Sequence, residues 1–454
     1  MTRRVLLVSP HFPPDSTAGT HRARLLAPHL RAHGWEPTVL TVDPRDYEGA
    51  LDPTLARSVP SDLRVVRARA WPAGLTRRFG VGDLGLRAFE GLWREASHLL
   101  SHERFEALFI TIYPAYAALL GPLLKRRFRV PFVLDYQDPW VGEWGRTVGA
   151  DADGHPDFKS RASRAAALRL EPIALRAADG VTAVSRATFE QALERTRDAA
   201  PTVTAELPIG WDERDFAFLR EHRPPASALT PRGDGLVHMA YVGTLLPAGI
   251  ETLRGFCAAL ALAAERDRAV ATRLRVHFVG TSNLRSSSAS ARVLPVAREF
   301  RVLDLVTERP ERLDYFDALQ TLVDASAVLL IGSNERHYTP SKVFPAMLSG
   351  RPLLAIYHVE STATALLQRF GQPPAVRVVS YDDQHSAIAC VDDIAAHLCE
   401  MVQHPMERVV SVNRGVLEPM SARSLAGRLA VVLERVSAAG SVAATSVTVA
   451  AERS

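Results

Sequence analysis

The chain has only three cysteines, Cys257, Cys390 and Cys399, among 454 residues. Three cannot all pair within one chain, and none stands at metal-ligand spacing. A disulfide framework is therefore excluded, and a reducing compartment fits. No apolar run reaches the roughly 20 residues that a membrane-spanning helix needs. The short run that opens at Val5 behind Arg3-Arg4 reads as a buried first strand rather than a signal peptide. Charge of one sign is also lacking. The 54 basic and 50 acidic residues leave a formal charge of +4, too near balance to argue for a nucleic-acid partner. No repeat of solenoid period is present. What is there is ordinary globular composition, 47% hydrophobic and 23% charged. The length exceeds what one core usually serves, so two domains are expected, in a cytoplasmic protein.

Periodicity divides the chain into two similar halves. Val5–Ser9 is a continuous apolar run, as a strand buried on both faces of a parallel sheet requires. A turn-rich loop containing Gly19 follows. Thr20–His33 then carries Ala23, Leu26, Ala27 and Leu30 at helical spacing, and Gly34 stops it. Pro37–Val42 is the next strand, and the pattern recurs at Ala107–Ile112, Tyr116–Lys125, Pro131–Tyr136 and Gly180–Val184. In the second half the strand candidates are Val237–Val242, Leu274–Val279, Ala327–Gly332 and Leu353–Tyr357. Helix candidates alternate with them at Ile250–Ala264, Tyr315–Ala325 and Val343–Leu348. This alternation predicts an α/β fold of two Rossmann-like, doubly wound domains facing a cleft, with ligands beyond the carboxyl ends of the strands. The expected boundaries are 1–216 and 236–400 for the two domains, with a Pro- and Gly-containing linker at 217–235. A helical segment at 401–436 and a frayed tail at 437–454 complete the division.

Several residues stand where chemistry would need them. Ser341-Lys342 immediately precedes the helix candidate Val343–Leu348. A cation at a helix N-terminus is electrostatically unfavourable, and a bound anion resolves the conflict. Ser341 and the helix amides would add donors to that anion. A departing diphosphate is such an anion, and a lysine on it stabilises charge that develops in the transition state. Gly19, in the loop after the first strand, would let an anion approach free amides, or would merely permit a tight turn. Gly243-Thr244 occupies the same place after the first strand of the second half. Asp138 follows a buried strand beside Gln137 and Trp140. A carboxylate there can hold a hydroxyl or act as a base, although an Asp before Pro is also a common turn residue. Asp135, within the strand, is the alternative. Finally, Arg77–Leu100 mixes Arg77, Arg78, Arg87 and Arg94 with Phe79, Leu84, Leu86, Phe89, Leu92 and Trp93. That pattern suits a helix over the core or an element resting on a membrane surface.

Taken in order, these segments resemble family 4 retaining glycosyltransferases with the GT-B fold. The likeness spans most of residues 3–436. It rests on Val5–Pro14 with Gly19, Arg22, Leu26, Leu30, Gly34 and Val39–Thr41, on Val133–Trp140, on Arg176–Ser185, on Leu207–Asp212, on Tyr241–Thr244 and on Tyr338–Pro352. The resemblance implies transfer of a sugar from a nucleoside-diphosphate sugar to a hydroxyl of a glycan, a lipid-linked acceptor or a natural product. It implies retention at the sugar carbon and no cofactor beyond the donor substrate itself; no metal is expected, because helix dipoles with Lys342 can neutralise the diphosphate. It makes Asp138 and Lys342 catalytic, and it places Gly19, Gly243, Thr244, Ser341 and Lys342 on the donor phosphates. Asp135, Gln137 and Trp140 fall on the acceptor side. Peripheral association with the inner face of a membrane through residues 77–100 is compatible with it.

The chain departs from the family in the donor segment. Five residues before Gly350 the family carries a ribose-binding glutamate, and here Pro345 stands there. The earlier glutamate position holds His337, with Glu335 two residues away; these two are the remaining candidates for sugar or ribose contacts. The loop Gly243–Gly249 lacks the Arg and Lys that many members use. Two other readings therefore stay open. One is an inactive GT-B-fold protein that binds sugars or nucleotides, or serves as a scaffold in glycan assembly. The other is a sugar-nucleotide epimerase of the same architecture.

Overall fold

The computed structural model describes residues 2–49, 51–142, 158–222, 229, 234–282, 290–333, 341–405 and 413–451. It forms two compact units, Met1–Asp212 with Met420–Ser454, and Glu213–Pro419.

The first unit is built on a parallel seven-stranded sheet in the order β3-β2-β1-β4-β5-β6-β7. Its strands are β1 (Arg3–Val8), β2 (Trp35–Val42), β3 (Arg64–Ala68), β4 (Ala107–Thr111), β5 (Phe132–Tyr136), β6 (Gly180–Ala183) and β7 (Val203–Glu206). β1 sits between β2 and β4, with Val8 beside both Leu40 and Ile110. Alternate side chains of these apolar strands fill two cores. Leu6, Val8, Leu108 and Ile110 pack under Leu92, Ala96 and Leu99 of the helix Phe89–His102. On the other face Val5, Leu7 and Phe109 meet Ala23, Leu26 and Leu30 from the segment after β1. That face is completed from the far end of the chain. The helix Ala422–Ala451 lays Leu425, Leu429, Leu433 and Val436 on it, a spacing of three and four residues that forms one apolar stripe.

The second unit has a parallel six-stranded sheet, β10-β9-β8-β11-β12-β13. The strands are β8 (Val237–Val242), β9 (Leu274–Val279), β10 (Val306–Arg309), β11 (Ala327–Ile331), β12 (Leu353–His358) and β13 (Val376–Tyr381). The helices Ile250–Arg266 and Val391–Gln403 cover one face, with Phe256, Leu260, Ile394 and Leu398 in the core.

The domain limits differ from the sequence reading. The helix Glu213–Glu221 belongs to the second unit, so the boundary falls at Asp212 rather than 216, and the expected linker is helical as far as Glu221. Phe218 packs on Phe316 with centroids 4.6 Å apart, and Tyr315 donates to Asp215 at 2.8 Å. These contacts hold the helix to its unit. The expected terminal segment 401–436 is likewise divided, since residues up to Pro419 belong to the second unit and the rest to the first. The last helix continues to Ala451, past Val436 where the sequence reading ended it. Among the described residues no helix is long and apolar enough to cross a membrane.

Candidate active site

In each sheet all strands run parallel, so their carboxyl ends share one edge. In each the strand order reverses once, between β1 and β4 and between β8 and β11. Loops leaving such a pair turn in opposite directions and open a crevice, the usual ligand position in open α/β sheets.

At the β8/β11 reversal Tyr241, Thr244, Gly332, Ser333, Lys342 and Tyr357 line a small recess. Lys342 precedes the helix Val343–Leu348 and turns its ammonium inward. Its Nζ donates to the Tyr241 hydroxyl at 3.0 Å and to the Thr244 carbonyl, and lies 5.0 Å from the centroid of the Tyr241 ring. Burial lowers the lysine to a pKa of about 7. Among the described residues no carboxylate pairs with it. Gly243 makes the arrangement possible. Its φ is +115°, and a Cβ there would come 2.8 Å from Lys342 Cε, so a side chain is refused on both counts. A second cation reaches this loop from outside it: Arg292 donates from Nη1 to the Leu245 carbonyl. The sequence reading found no Arg or Lys in the loop itself. A residue supplied from 47 positions away leaves no local signal. Ser341 is exposed next to Lys342, and Pro345 sits in the first turn of the helix. Glu335 and His337 lie outside the described residues.

The β1/β4 side corrects two expectations. The loop amides were expected to be free for an anion. Instead Thr20, His21 and Arg22 donate theirs to the carbonyls of Thr17, Ala18 and Gly19 at 3.2, 3.2 and 3.4 Å. Gly19 itself is required by a ring, since a Cβ would come 2.3 Å from Tyr113 Cδ1. Asp135 does not offer a carboxylate to a ligand either. It is buried with Oδ2 2.9 Å from Arg22 Nε, and Oδ1 accepts from the Thr182 hydroxyl at 2.7 Å. Burial would raise its pKa and the Arg22 charge opposes that rise. The pair fastens the helix after β1 to β5 and β6.

Asp138 is different. It is exposed on the loop after β5, and surrounding protein raises its pKa by partial desolvation. Gln137 beside it buries an amide nitrogen that has no hydrogen-bonding partner among the described residues. Trp140 packs edge-on against Tyr116 with centroids 5.8 Å apart.

Comparison with known proteins agrees with this architecture. Residues 17–207 match the family model of the glycosyl transferase 4-like domain. Residues 17–207 thus form a glycosyl transferase 4-like domain, in a chain of the GT-B fold. Trehalose-6-phosphate synthase, OtsA, superimposes with a TM-score of 0.54 at 12% identity, over 95% of this chain and 99% of that one. HepE of Anabaena, solved with UDP-glucose, gives 0.51 at 13% identity over 96% and 99%. The N-terminal domain of trehalose-6-phosphate phosphatase from Candida albicans gives 0.51 at 14% identity over 96% and 97%. At such identities the likeness is one of fold. No curated protein matches the chain in sequence.

Within this fold the structure brings Thr244 and Lys342 into one recess, with Gly243 against the Lys342 side chain and Ser341 exposed beside it. Gln137, Asp138 and Trp140 share one loop on the first unit. His11, Asp15, Tyr47 and Tyr113, which the sequence reading passed over, cluster at the β1/β4 edge. A His and an Asp four residues apart directly after the first strand was the available signal. The sequence also contains an Asp-x-Asp triplet, Asp151-Ala152-Asp153, outside the described residues. Among the described residues no cluster of His, Cys, Asp and Glu suits a metal ion.

Proposed function

We propose that the protein moves a sugar from a nucleoside-diphosphate sugar to a hydroxyl acceptor, with retention and without a metal ion. The buried ammonium of Lys342, with no acidic partner among the described residues, carries the reading. A charge kept in a concave, half-dry site is costly until an anion joins it. A diphosphate supplies that anion, and its charge grows as the sugar leaves, so the interaction strengthens along the reaction. Arg292 extends the positive field along the same loop. The proteins of the same fold solved with UDP-glucose support a nucleotide sugar as the donor class. Asp138, partly desolvated and next to the open donor of Gln137, is the acceptor-side group.

Retention rests on the family resemblance, and metal independence on Lys342 and the helix dipoles neutralising the diphosphate. They are tested by the anomeric configuration of the product and by activity in a chelator. Loss of turnover in the chelator, restored by a divalent cation, would make Asp151 and Asp153 the ligand pair to mutate. The reading as a whole is tested by calorimetric titration with a panel of nucleoside diphosphates and their sugars. A ligand at 100 times its dissociation constant adds about 2.7 kcal/mol to stability. Absence of binding across the panel would overturn the proposal.

The membrane reading shifts along the chain. Phe89, Leu92 and Trp93 pack into the first core, and Arg87 is buried on the carbonyls of Trp71 and Asp46. The exposed large apolar side chains here are Trp71 (52%), Leu75 (45%) and Phe79 (79%), beside Arg77 and Arg78, and to a smaller extent Leu86 (37%). Residues 71–79, rather than 77–100, form the patch that would rest on an anionic membrane at the cytoplasmic face. Co-sedimentation with phosphatidylserine vesicles tests it. Binding should fall with salt and with Phe79→Ser, and a wholly soluble protein would exclude it.

A further inference from the structure

One half-buried carboxylate of the second unit holds backbone rather than a charged partner. Glu308 stands in β10. Its Oε1 accepts from the Thr281 hydroxyl at 2.5 Å and from the Arg292 amide at 2.9 Å. Its Oε2 accepts from the amides of Val293 and Leu294 at 2.9 and 3.0 Å. Four donors therefore converge on one carboxyl group. Three of them are amides at the start of the helix Leu294–Glu299, so Glu308 caps that helix.

The contacts close into a ring. The Thr281 carbonyl accepts from the Leu245 amide at 2.9 Å, and the Leu245 carbonyl accepts from Arg292 Nη1. Leu245 follows β8, Thr281 follows β9 and Glu308 lies in β10. The ring thus ties together the carboxyl ends of three neighbouring strands. Glu308 takes Arg292 by its backbone and not by its guanidinium. Among the described residues no carboxylate pairs with that guanidinium, and the Leu245 carbonyl is the acceptor it meets.

This division matters for charge. A carboxylate on the guanidinium would neutralise it. A carboxylate on the amide fixes where the side chain starts and leaves its charge available. Arginine carries five N–H donors in a planar fork, and such a fork grips phosphate oxygens well. Lys342 meanwhile reaches the neighbouring carbonyl, that of Thr244. Two cations therefore rest on successive carbonyls of one loop. Like charges so placed repel until an anion joins both, and an anion with two charged centres suits them better than one with a single centre.

We infer that Glu308 is a positioning residue for donor choice: by pinning Arg292 as the second cation beside Lys342, it makes the site select a nucleoside diphosphate over a monophosphate. The inference rests on the nucleotide-sugar reading of the recess. Lys342 and Arg292 each take a phosphate, and Glu308 touches neither.

The test is a selectivity, which a general loss of structure would not move. UDP, UMP, GDP and GMP are the probes, with inorganic pyrophosphate against phosphate as a pair that carries no base. Calorimetry on the full chain gives the ratio of monophosphate to diphosphate dissociation constants. Arg292→Met should lower that ratio on the order of 10-fold or more, the value of a hydrogen bond to a charged group. It should do so by weakening the diphosphate, with the monophosphate kept within about twofold. Arg292→Lys, which keeps the charge and loses the fork, should recover part of the ratio. Glu308→Gln turns an amide N–H toward backbone N–H donors and should lower the ratio in the same direction. In protein that already carries Arg292→Met, Glu308→Gln should change the ratio no further, because both act through one contact.

A Glu308 that only supports the fold would weaken monophosphate and diphosphate alike, with or without Arg292, and that result would overturn the inference. Arg292 is half-buried and lies outside the core, so its variant carries the test if Glu308→Gln does not fold. A wild-type ratio in Arg292→Met would overturn the inference while leaving the nucleotide-sugar reading intact. Failure of every nucleotide and of pyrophosphate to bind would overturn that reading, and the inference with it.

Discussion

Lys342 lays its ammonium against Tyr241, 3.0 Å from the hydroxyl and 5.0 Å from the ring centroid. Among the described residues, a π face and two neutral oxygens are what the protein offers this cation. The fold therefore carries strain that an anion would relieve, and stability and binding should respond to Lys342 in opposite directions.

Replacing the lysine should show this. Lys342→Met keeps the stem and removes the charge. Burial moves the group from its ordinary 10.5 to about 7. Between these values the unfolded chain holds the proton more tightly than the folded one, so wild-type stability should rise as pH goes from 7 towards 10. Lys342→Met should lack that rise and be more stable at pH 7 by roughly 2 to 4 kcal/mol. Nucleotide affinity should drop on the order of 10- to 100-fold, the value of a hydrogen bond to a charged group. Denaturant melts at two pH values and calorimetry read both effects. A variant with weaker binding and no gain in stability would mean the lysine is not strained.

The opposite holds for Arg22 and Asp135, which are buried together. Asp135→Ala leaves a guanidinium sealed without its charge and should cost about 3 to 5 kcal/mol. Asp138→Ala, three residues on and exposed, should change stability by less than about 0.5 kcal/mol. It should instead lower turnover while nucleotide affinity is kept. Melts and acceptor kinetics on the two variants separate a fastening carboxylate from a reacting one. Equal melting temperatures would remove the distinction.

These two aspartates also show what the sequence could reveal. Both were visible as carboxylates near the end of a buried strand, but the face each presents depends on a partner 113 residues away in Arg22, which spacing along β5 does not encode. The strands divide in the same way. Inner strands such as β1, β4, β8 and β11 are buried on both faces and read as continuous apolar runs. The sequence reading left β3, β7, β10 and β13 unassigned, and these are the four edges of the two sheets. Edge strands are half-solvated and carry charge, as in Arg64–Ala68 (RVVRA) and Val306–Arg309 (VTER), so their pattern dissolves into that of loops. The terminal helix was found by its periodicity, but nothing local to it says that its stripe completes the core of the first unit.

Gly19 offers a check on the β1 loop. Its Cβ position is taken by the Tyr113 ring, 2.3 Å away. Gly19→Ala must displace that ring, which also borders His11. Denaturant melts should show a loss of about 1 to 3 kcal/mol from this overpacking, with little change in nucleotide affinity. A loss confined to the nucleotide would return Gly19 to the donor phosphates, where the family resemblance places it.

A last prediction concerns acid. Asp234 Oδ2 lies 2.9 Å from His238 Nε2, His238 Nδ1 lies 2.8 Å from His277 Nε2, and His277 Nδ1 lies 2.8 Å from the Thr307 hydroxyl. The contacts run across β8, β9 and β10 as one chain. Protonating both rings would set two N–H groups against each other across 2.8 Å. Burial first, then the charges of His238 and Arg275, lower His277 to about 4 from its ordinary 6.5. Between these values the unfolded chain takes up the proton and the folded chain refuses it, so stability should fall as pH drops from 6.5 to 4. The full swing is about 3 kcal/mol for this one group. His277→Gln should flatten that part of the profile, keeping a polar group for Thr307 while removing the titration. Denaturant midpoints at half-unit steps between pH 4 and 7 measure it. An unchanged slope in the variant would move the acid sensitivity to another group and leave the histidine chain a static feature of the sheet.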